Sequence, residues 1–177
     1  MKSNTPLSLI SCLCVLLIAC GGCGSGSRSG SPNPSVPPLD LAEMKALKPP
    51  DAPGAAAFDA AIRELEGPGN TGGMANDAIG ELAFRLSTIP ALCAILERGD
   101  DQQVRLAFMG LRAVVEGVAS VTWEQKQGPG FKLEDYRKVA IPVLAEPKHL
   151  AQIKTGLTRL PPPSRATFQS VVDAIKP

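Results

Sequence analysis

The sequence predicts an all-helical domain over residues 55–177, and three observations support this prediction. From Ala55 onward, apolar residues recur at intervals of three and four, the spacing that places them on one face of an α-helix. No segment shows a convincing period-two alternation of a half-buried strand, and no Asn-Gly hairpin turn occurs. Glycine and proline separate the apolar segments, so several helices of ordinary length are expected.

The first four predicted helices are defined by their apolar stripes and by signals at their ends. Gly67-Pro68-Gly69 ends the first helix. Thr88 is a candidate N-cap of the third, which stops at Gly99, and either Asp100 or Asp101 can cap the fourth. The four stripes are Phe58, Ala61, Ile62 and Leu65; Ala75, Ala78, Ile79, Leu82 and Leu86; Leu92, Ile95 and Leu96; and Val104, Ala107, Phe108, Leu111, Val114, Val115 and Val118.

Three further helices are predicted in the C-terminal part of the domain. Glu134-Asp135 favours the N-terminus of the fifth because acidic side chains complement the helix dipole there, and Pro142 should kink or split that helix. Pro147 opens the sixth, and the run 161–163 of prolines stops it before Ser164 caps the last. The stripes are Leu133, Tyr136, Ala140, Val143 and Leu144; Leu150, Ile153, Leu157 and Leu160; and Phe168, Val171, Val172 and Ile175.

The order of these helices indicates a repeat. Pairing them in sequence produces three hairpins that begin near residues 55, 89 and 134, and it leaves the last helix as a cap. One hairpin cannot bury its own apolar face, so neighbouring hairpins must stack, and about three are needed. The sequence therefore predicts either a short stack of helix hairpins or an irregular helical bundle.

The middle hairpin, residues 89–114, resembles a HEAT repeat. It combines an apolar first helix, an acidic turn, and Val104-Arg105 at the head of a second helix rich in Ala and Leu. The resemblance implies that Asp101 and Arg105 act as structural groups that pair between neighbouring repeats. The flanking hairpins lack the acidic turn and the Val-Arg pair, so the irregular bundle stays an alternative to a HEAT-like α-solenoid.

Ahead of this domain, the quartet Leu17-Ile18-Ala19-Cys20 closes the apolar run 7–19, which follows a charge at Lys2. The run is shorter than the roughly 20 residues that a membrane-spanning helix needs, so a cleaved signal is favoured. The quartet resembles the bacterial lipobox. The resemblance implies that Cys20 is acylated and anchors the protein in a membrane, and Gly21 in place of an aspartate implies the outer membrane.

Two other cysteines compete for this role. Leu9-Ile10-Ser11-Cys12 also fits the quartet, but it leaves only residues 7–10 as an apolar run, whereas a signal needs roughly 7 to 15. Cys14 fails because Leu13 is too large for the cleavage position. Cys20 is therefore the predicted lipid attachment site.

The sequence divides the chain into a lipoprotein signal (1–19), a lipidated tether (20–54) and the helical domain (55–177). The tether is rich in Gly, Ser and Pro, a composition typical of disordered linkers. Within it, Asp40 and Glu43 have the spacing of a capping box, and apolar residues follow at 41, 44 and 47. A short helix is predicted there.

Composition excludes some classes of partner. Without Lys2, the mature chain has 17 basic and 17 acidic residues, so its net charge is close to zero. Nucleic-acid binding is not expected, because it needs a basic face. Cys93 lies within an apolar helix pattern and is expected to be a small buried hydrophobe.

Few residues have the pattern of a catalytic or metal site. Residues 67–72 satisfy G-x-G-x-x-G, but no strand precedes them, so they are predicted to be an interhelical loop. His149 is the only histidine and is expected to face solvent or to cap a helix. The carboxylates of Glu97, Asp100 and Asp101 are explained by helix capping. We therefore expect no catalytic residue, metal or cofactor, and no enzymatic activity.

Residues 122–132 are predicted to form a long loop that contains the only tryptophan. Aromatic side chains on loops are typical of recognition surfaces, so Trp123 and Phe131 are candidate contacts with a partner; alternatively, Trp123 closes over a helix hairpin. The leading hypothesis is a lipid-anchored cell-envelope protein that binds another envelope protein or scaffolds an assembly. The alternative is a module that binds a small molecule or glycan in a groove near Trp123.

Overall fold

The computed structural model describes residues 37, 39–66, 77–119 and 121–176, and within these ranges the fold is all-helical, as predicted. Cys20, its signal, the tether up to residue 36 and the glycine motif 67–72 lie outside the described residues. The helices are α1 (Leu41–Lys45), α2 (Ala52–Glu66), α3 (Asp77–Glu81), α4 (Ile89–Arg98), α5 (Asp101–Glu116), α6 (Val121–Lys126), α7 (Leu133–Leu144), α8 (Pro147–Arg159) and α9 (Pro162–Ile175).

The helices pack as stacked hairpins around α5. Helices α4 and α5 form one hairpin, and α8 and α9 form a second that stacks on it, with α8 along α4 and α9 along α5. On the opposite side, α3 packs on α5, and α2 packs on α3. The core between these helices is built mainly from aliphatic side chains, with Phe58, Phe84 and Phe108 as its largest members.

The hairpin order differs from the predicted one. The sequence paired α7 with α8 and left α9 as a cap, whereas the structure pairs α8 with α9 and lays α7 against α5. The position of α8 along α4 depends on a close approach between the two helices at Gly156 of α8. A Cβ atom there would lie only 2.2 Å from the carbonyl oxygen of Leu96, so the absence of a side chain lets α8 rest directly on α4. Such an approach between distant residues has no local sequence signal.

Helix α3 crosses α5 at a second close approach. A Cβ atom on Gly110 would lie 2.1 Å from the carbonyl oxygen of Gly80, and Gly80 is buried in turn beneath the ring of Trp123. Two glycines face each other and bring the two backbones into contact. Helices α3 and α5 therefore pack at this point without a layer of side chains between them.

The predicted second helix is broken in the structure. Helix α3 ends at Glu81, and two 3-10 turns follow, Leu82–Phe84 and Leu86–Thr88, separated by Arg85 in an extended conformation. Thr88 precedes α4 as predicted but does not cap it with its side chain. Its buried hydroxyl instead lies at the carbonyl oxygens of Leu82 and Arg85, so it holds the two turns together.

The ends of α4 and α5 follow the sequence signals closely. Helix α4 stops at Gly99, and of the two candidate caps the structure uses Asp100. The Asp100 carboxylate accepts a hydrogen bond from the Gln103 backbone N–H at 2.8 Å, and the Gln103 side chain accepts one from the Asp100 N–H at 2.9 Å. This capping box satisfies two donors at the start of the helix. Gly117, with φ of 71°, ends α5 in the left-handed conformation.

The predicted split at Pro142 and the predicted cap at Ser164 are not observed, and a kink at Pro142 stays a prediction. Helix α7 is not split at Pro142 but continues to Leu144, because a proline on the exposed side so close to the end removes only one helical hydrogen bond. Ser164 is not the cap of α9, which begins at Pro162 with Pro161 at the N-cap. Prolines suit the first helical positions since their φ is preset and the N–H groups there have no helical partner.

The packed domain begins at Leu39, so the predicted boundary at residue 54 is wrong. The predicted short helix is present as α1, and the Asp40 carboxylate caps it by accepting from the Ala42 N–H at 2.8 Å. Met44 is fully buried in the core, and α2 already starts at Ala52. Residues 39–54 therefore belong to the domain, because Met44 is buried in its core and Leu39, Leu41 and Leu47 pack against it.

Within the described ranges, no single helix is long and apolar enough to cross a membrane. Two segments, Ala78–Phe84 and Leu86–Arg98, pass the length and composition criteria jointly, with a bend of 120° between them.

Candidate functional site

Trp123 lies in the short helix α6 rather than in a loop. Only 8% of the residue is exposed, and its ring meets Phe84 edge to face with 5.2 Å between ring centroids. The ring also covers Gly80, where a Cβ atom would lie 3.3 Å from Cζ2 of the indole. Trp123 thus closes over the α3–α5 crossing, as in the second of the two alternatives that the sequence left open, and it offers little surface to a partner.

Phe131 is half-buried and packs against Tyr136, with 5.8 Å between ring centroids. The Tyr136 hydroxyl donates to the carbonyl oxygen of Ala83 at 2.8 Å, which joins α7 to the first 3-10 turn. Burial raises the pKa of Tyr136 above its usual range, so the group remains a neutral donor. Phe131 retains exposed surface and remains a candidate contact.

The groove expected near Trp123 corresponds to a shallow, open depression. Its lining consists of Glu124, Gln125, Gly128 and Pro129, and the indole faces the core instead. Ligand pockets usually enclose most of a small molecule and are lined by apolar side chains. The depression is too open to enclose a small molecule, so it adds little support to the small-molecule alternative.

His149 is buried, not solvent-facing, and acts as a helix cap. Its Nδ1 lies 2.9 Å from the carbonyl oxygen of Val143, close to the C-terminus of α7, and Glu146 Oε2 lies 3.6 Å away. With Nδ1 protonated, the ring donates to this carbonyl, which also accepts the Glu146 backbone N–H at 3.2 Å just beyond the helix. Of the two predicted roles, capping is therefore the one observed.

Cys93 is fully buried in α4 and is a free thiol. Burial raises its pKa to about 12, with a smaller contribution from the negative charge of Glu97. The thiolate is the reactive form of cysteine, so this side chain is inert near neutral pH. The prediction of a small buried hydrophobe is confirmed.

The contact between neighbouring hairpins is made by an arginine that the sequence did not single out. Arg159, in the last turn of α8, donates from Nη1 to the carbonyl oxygen of Glu97 at 2.7 Å and from Nη2 to that of Gly99. Arg159 therefore caps the end of α4 from the next hairpin. Asp101 lies half-buried in the first turn of α5, and Arg105 is exposed one turn later. Their pairing stays a prediction.

The exposed side of the central helix forms a continuous surface, which we call the α5 face. Met109 lies in its middle with 51% of the residue exposed. Arg112 Nε donates to Glu116 Oε2 at 2.7 Å, so the C-terminal end of the surface is ordered. Arginine and methionine are enriched at protein interfaces. The residues of the α5 face are Gln102, Arg105, Met109, Arg112 and Glu116.

The α5 face could have been found in the sequence, because its residues recur at intervals of three and four opposite the apolar stripe. The same pattern describes any solvated helix face, however, so the sequence offers no reason to select it. Its significance comes from the central position of α5, which the tertiary structure alone reveals.

No group of three or more His, Cys, Asp or Glu side chains is arranged to hold a metal ion in the part of the chain that the structure describes. Comparison with protein-family models, with curated proteins and with solved structures yields no match to this chain. Functional inference therefore depends on the residues and contacts of the chain itself.

Proposed function

We propose that this protein is a lipid-anchored protein of the cell envelope, held at the outer membrane, whose helical domain binds another envelope protein or scaffolds an assembly without catalysing a reaction. The observation that carries the anchoring part is the quartet Leu17-Ile18-Ala19-Cys20 at the end of an apolar run of signal length. Two or more acyl chains on one cysteine hold a protein firmly, where a single chain binds reversibly.

The binding part is supported by the α5 face. Its helix packs against α3, α4, α7 and α9, so the surface is carried by a rigid element of the fold. Met109 between Arg105 and Arg112 suits a protein partner that presents an apolar pocket with carboxylates at its rim. The stacking of α8–α9 on α4–α5 also supports the resemblance to HEAT repeats as an account of the architecture.

The anchoring proposal predicts that Cys20→Ser abolishes incorporation of a fatty-acid label and releases the protein from the membrane fraction. Acylation requires the sulfur of this cysteine, so the effect should be a complete loss. Cys23→Ser is the matched control, because it changes a cysteine three residues away, and it should keep both the label and the membrane location. Unchanged labelling of Cys20→Ser would refute the anchor at this residue.

The binding proposal predicts that Met109→Glu lowers partner capture at least about tenfold, since a charge at the centre of an interface removes a buried apolar contact. The measurement is crosslinking in living cells followed by quantitative mass spectrometry of the co-purified proteins. Val139→Glu on α7 is the control, because Val139 has the same exposure, 50% against 51% for Met109.

Both variants change exposed side chains, so their melting temperatures should match that of the unchanged protein. Loss of one dominant envelope protein with Met109→Glu alone would support the α5 face. Equal capture by the unchanged protein, Met109→Glu and Val139→Glu would reject this face as the contact. The absence of any specific partner would argue against a function in protein binding.

A further inference from the structure

The chain enters the fold through residues 37–48, which we call the strap. At its start, the Leu39 N–H donates to the carbonyl oxygen of Arg98 at 3.1 Å. The Arg98 side chain reaches back, with Nε donating to the carbonyl oxygen of Pro37 at 2.9 Å and Nη1 forming an ion pair with Glu43. A single residue at the end of α4 thus holds the strap through both its backbone and its side chain.

The rest of the strap is held by apolar side chains and by two exposed ion pairs. Met44 is fully buried in the core, and Leu39, Leu41 and Leu47 are partly buried against it. Lys48 pairs with Asp59 at 2.7 Å and Lys45 pairs with Glu66, and all four side chains are about half exposed. Exposed ion pairs contribute little to stability, and a five-residue helix such as α1 does not form by itself. Retention of the strap therefore depends mainly on these four apolar side chains and on Arg98.

The end of α4 has partners besides the strap. The carbonyl oxygens of Glu97 and Gly99, on either side of Arg98, accept hydrogen bonds from Arg159 of α8. If the strap leaves, the site of Met44 opens to solvent, the carbonyl of Arg98 loses its bond to Leu39, and the Arg98 side chain loses Pro37 and Glu43; water can replace these polar contacts at the surface. The end of α4 therefore remains capped by the neighbouring hairpin when the strap is absent.

We propose that the strap is a releasable clip, which undocks as a unit while α2–α9 stay folded, and that Arg98 is its latch. Release frees 12 residues, which add about 40 Å of extended chain between the domain and whatever holds its N-terminus. The change in reach from a membrane rests on the proposed lipid anchor, whereas the release itself does not.

Hydrogen exchange followed by mass spectrometry on the purified full-length protein tests this proposal. The strap amides that donate to backbone carbonyls include those of Leu39, Met44, Ala46, Leu47 and Lys48. We expect a peptide covering residues 39–48 to exchange at least about a hundredfold faster than peptides from α5, because local opening needs less free energy than global unfolding. Arg98→Gln should accelerate this peptide about tenfold further and leave α5 unchanged.

Arg112→Gln is the matched control, since it also removes an arginine paired with a glutamate, and it lies in the C-terminal half of α5, away from the α4–α5 turn next to Arg98. It should leave exchange of the strap unchanged. Strap amides that exchange as slowly as those of α5 would overturn the proposal, and so would equal acceleration of strap and α5 by Arg98→Gln. No effect of Arg98→Gln on the strap would reject Arg98 as the latch. None of these outcomes depends on acylation, so the clip and the anchor can fail separately.

Discussion

Gly156→Ala is expected to destabilise the protein by about 2–3 kcal/mol and to lower its melting temperature by about 5–10 °C. The added Cβ atom would lie 2.2 Å from the carbonyl oxygen and 2.9 Å from the carbonyl carbon of Leu96. Both are backbone atoms of α4, so no side chain can rotate away. The crossing of α4 and α8 must open, and the packing of the two hairpins opens with it.

The direction of the change in stability distinguishes a close helix crossing from open space at residue 156. Alanine is favoured over glycine inside a helix by about 1 kcal/mol, so the same substitution would stabilise α8 if the space beside residue 156 were open. Ala151→Gly, on the exposed side of α8, is the control and should cost only this propensity difference of about 1 kcal/mol. Both values come from thermal or urea unfolding followed by circular dichroism. A neutral or stabilised Gly156→Ala variant would contradict the observed crossing.

Trp123→Ala is expected to cost about 3 kcal/mol, because it leaves a cavity between α6, Phe84 and the α3–α5 crossing. The indole is buried on Gly80, and its edge-to-face contact with Phe84 is lost as well. Unfolding by urea, followed by circular dichroism since the variant has no tryptophan, measures the change. The midpoint should fall, and any partner captured through the proposed α5 face should still be captured from cells kept below the melting temperature.

Phe131→Ala is the companion variant, because Phe131 is the other aromatic residue of the same segment and is only half-buried against Tyr136. Its cost should be about 1 kcal/mol, well below that of Trp123→Ala. The opposite pattern, in which Trp123→Ala keeps its stability but loses a partner, would show that Trp123 is a recognition residue after all.

The sequence predicted those helices whose signals are local. Apolar stripes at intervals of three and four located α2, α4, α5, α7, α8 and α9, and the cap of α5 at Asp100 was one of two candidates. It missed α6, whose six residues are too few to show a periodic stripe, and it missed the break after α3. That break depends on Arg85 adopting an extended conformation and on the burial of Thr88, neither of which is set by neighbouring residues.

Candidate site residues were harder to interpret because their types carry more than one meaning. Tryptophan is typical of recognition surfaces, but the tertiary fold buries Trp123 against α3. His149 is buried as well, and its ring contacts a carbonyl oxygen at the end of α7. Met44 likewise lies in a segment of linker composition, yet its burial, together with the packing of Leu39, Leu41 and Leu47, attaches that segment to the core.

By itself, the sequence determined the helical class and most helix positions, since each of these depends on residues within about two turns. The proposed lipid attachment at Cys20 also rests on the sequence alone, through one short motif. The tertiary structure decided which helices pair, where the domain begins and which surface the central helix exposes. These properties depend on contacts such as Gly156 with Leu96 and Arg159 with Glu97, about 60 residues apart. Whether two backbones can approach so closely is a matter of shape in three dimensions, and no local period encodes it.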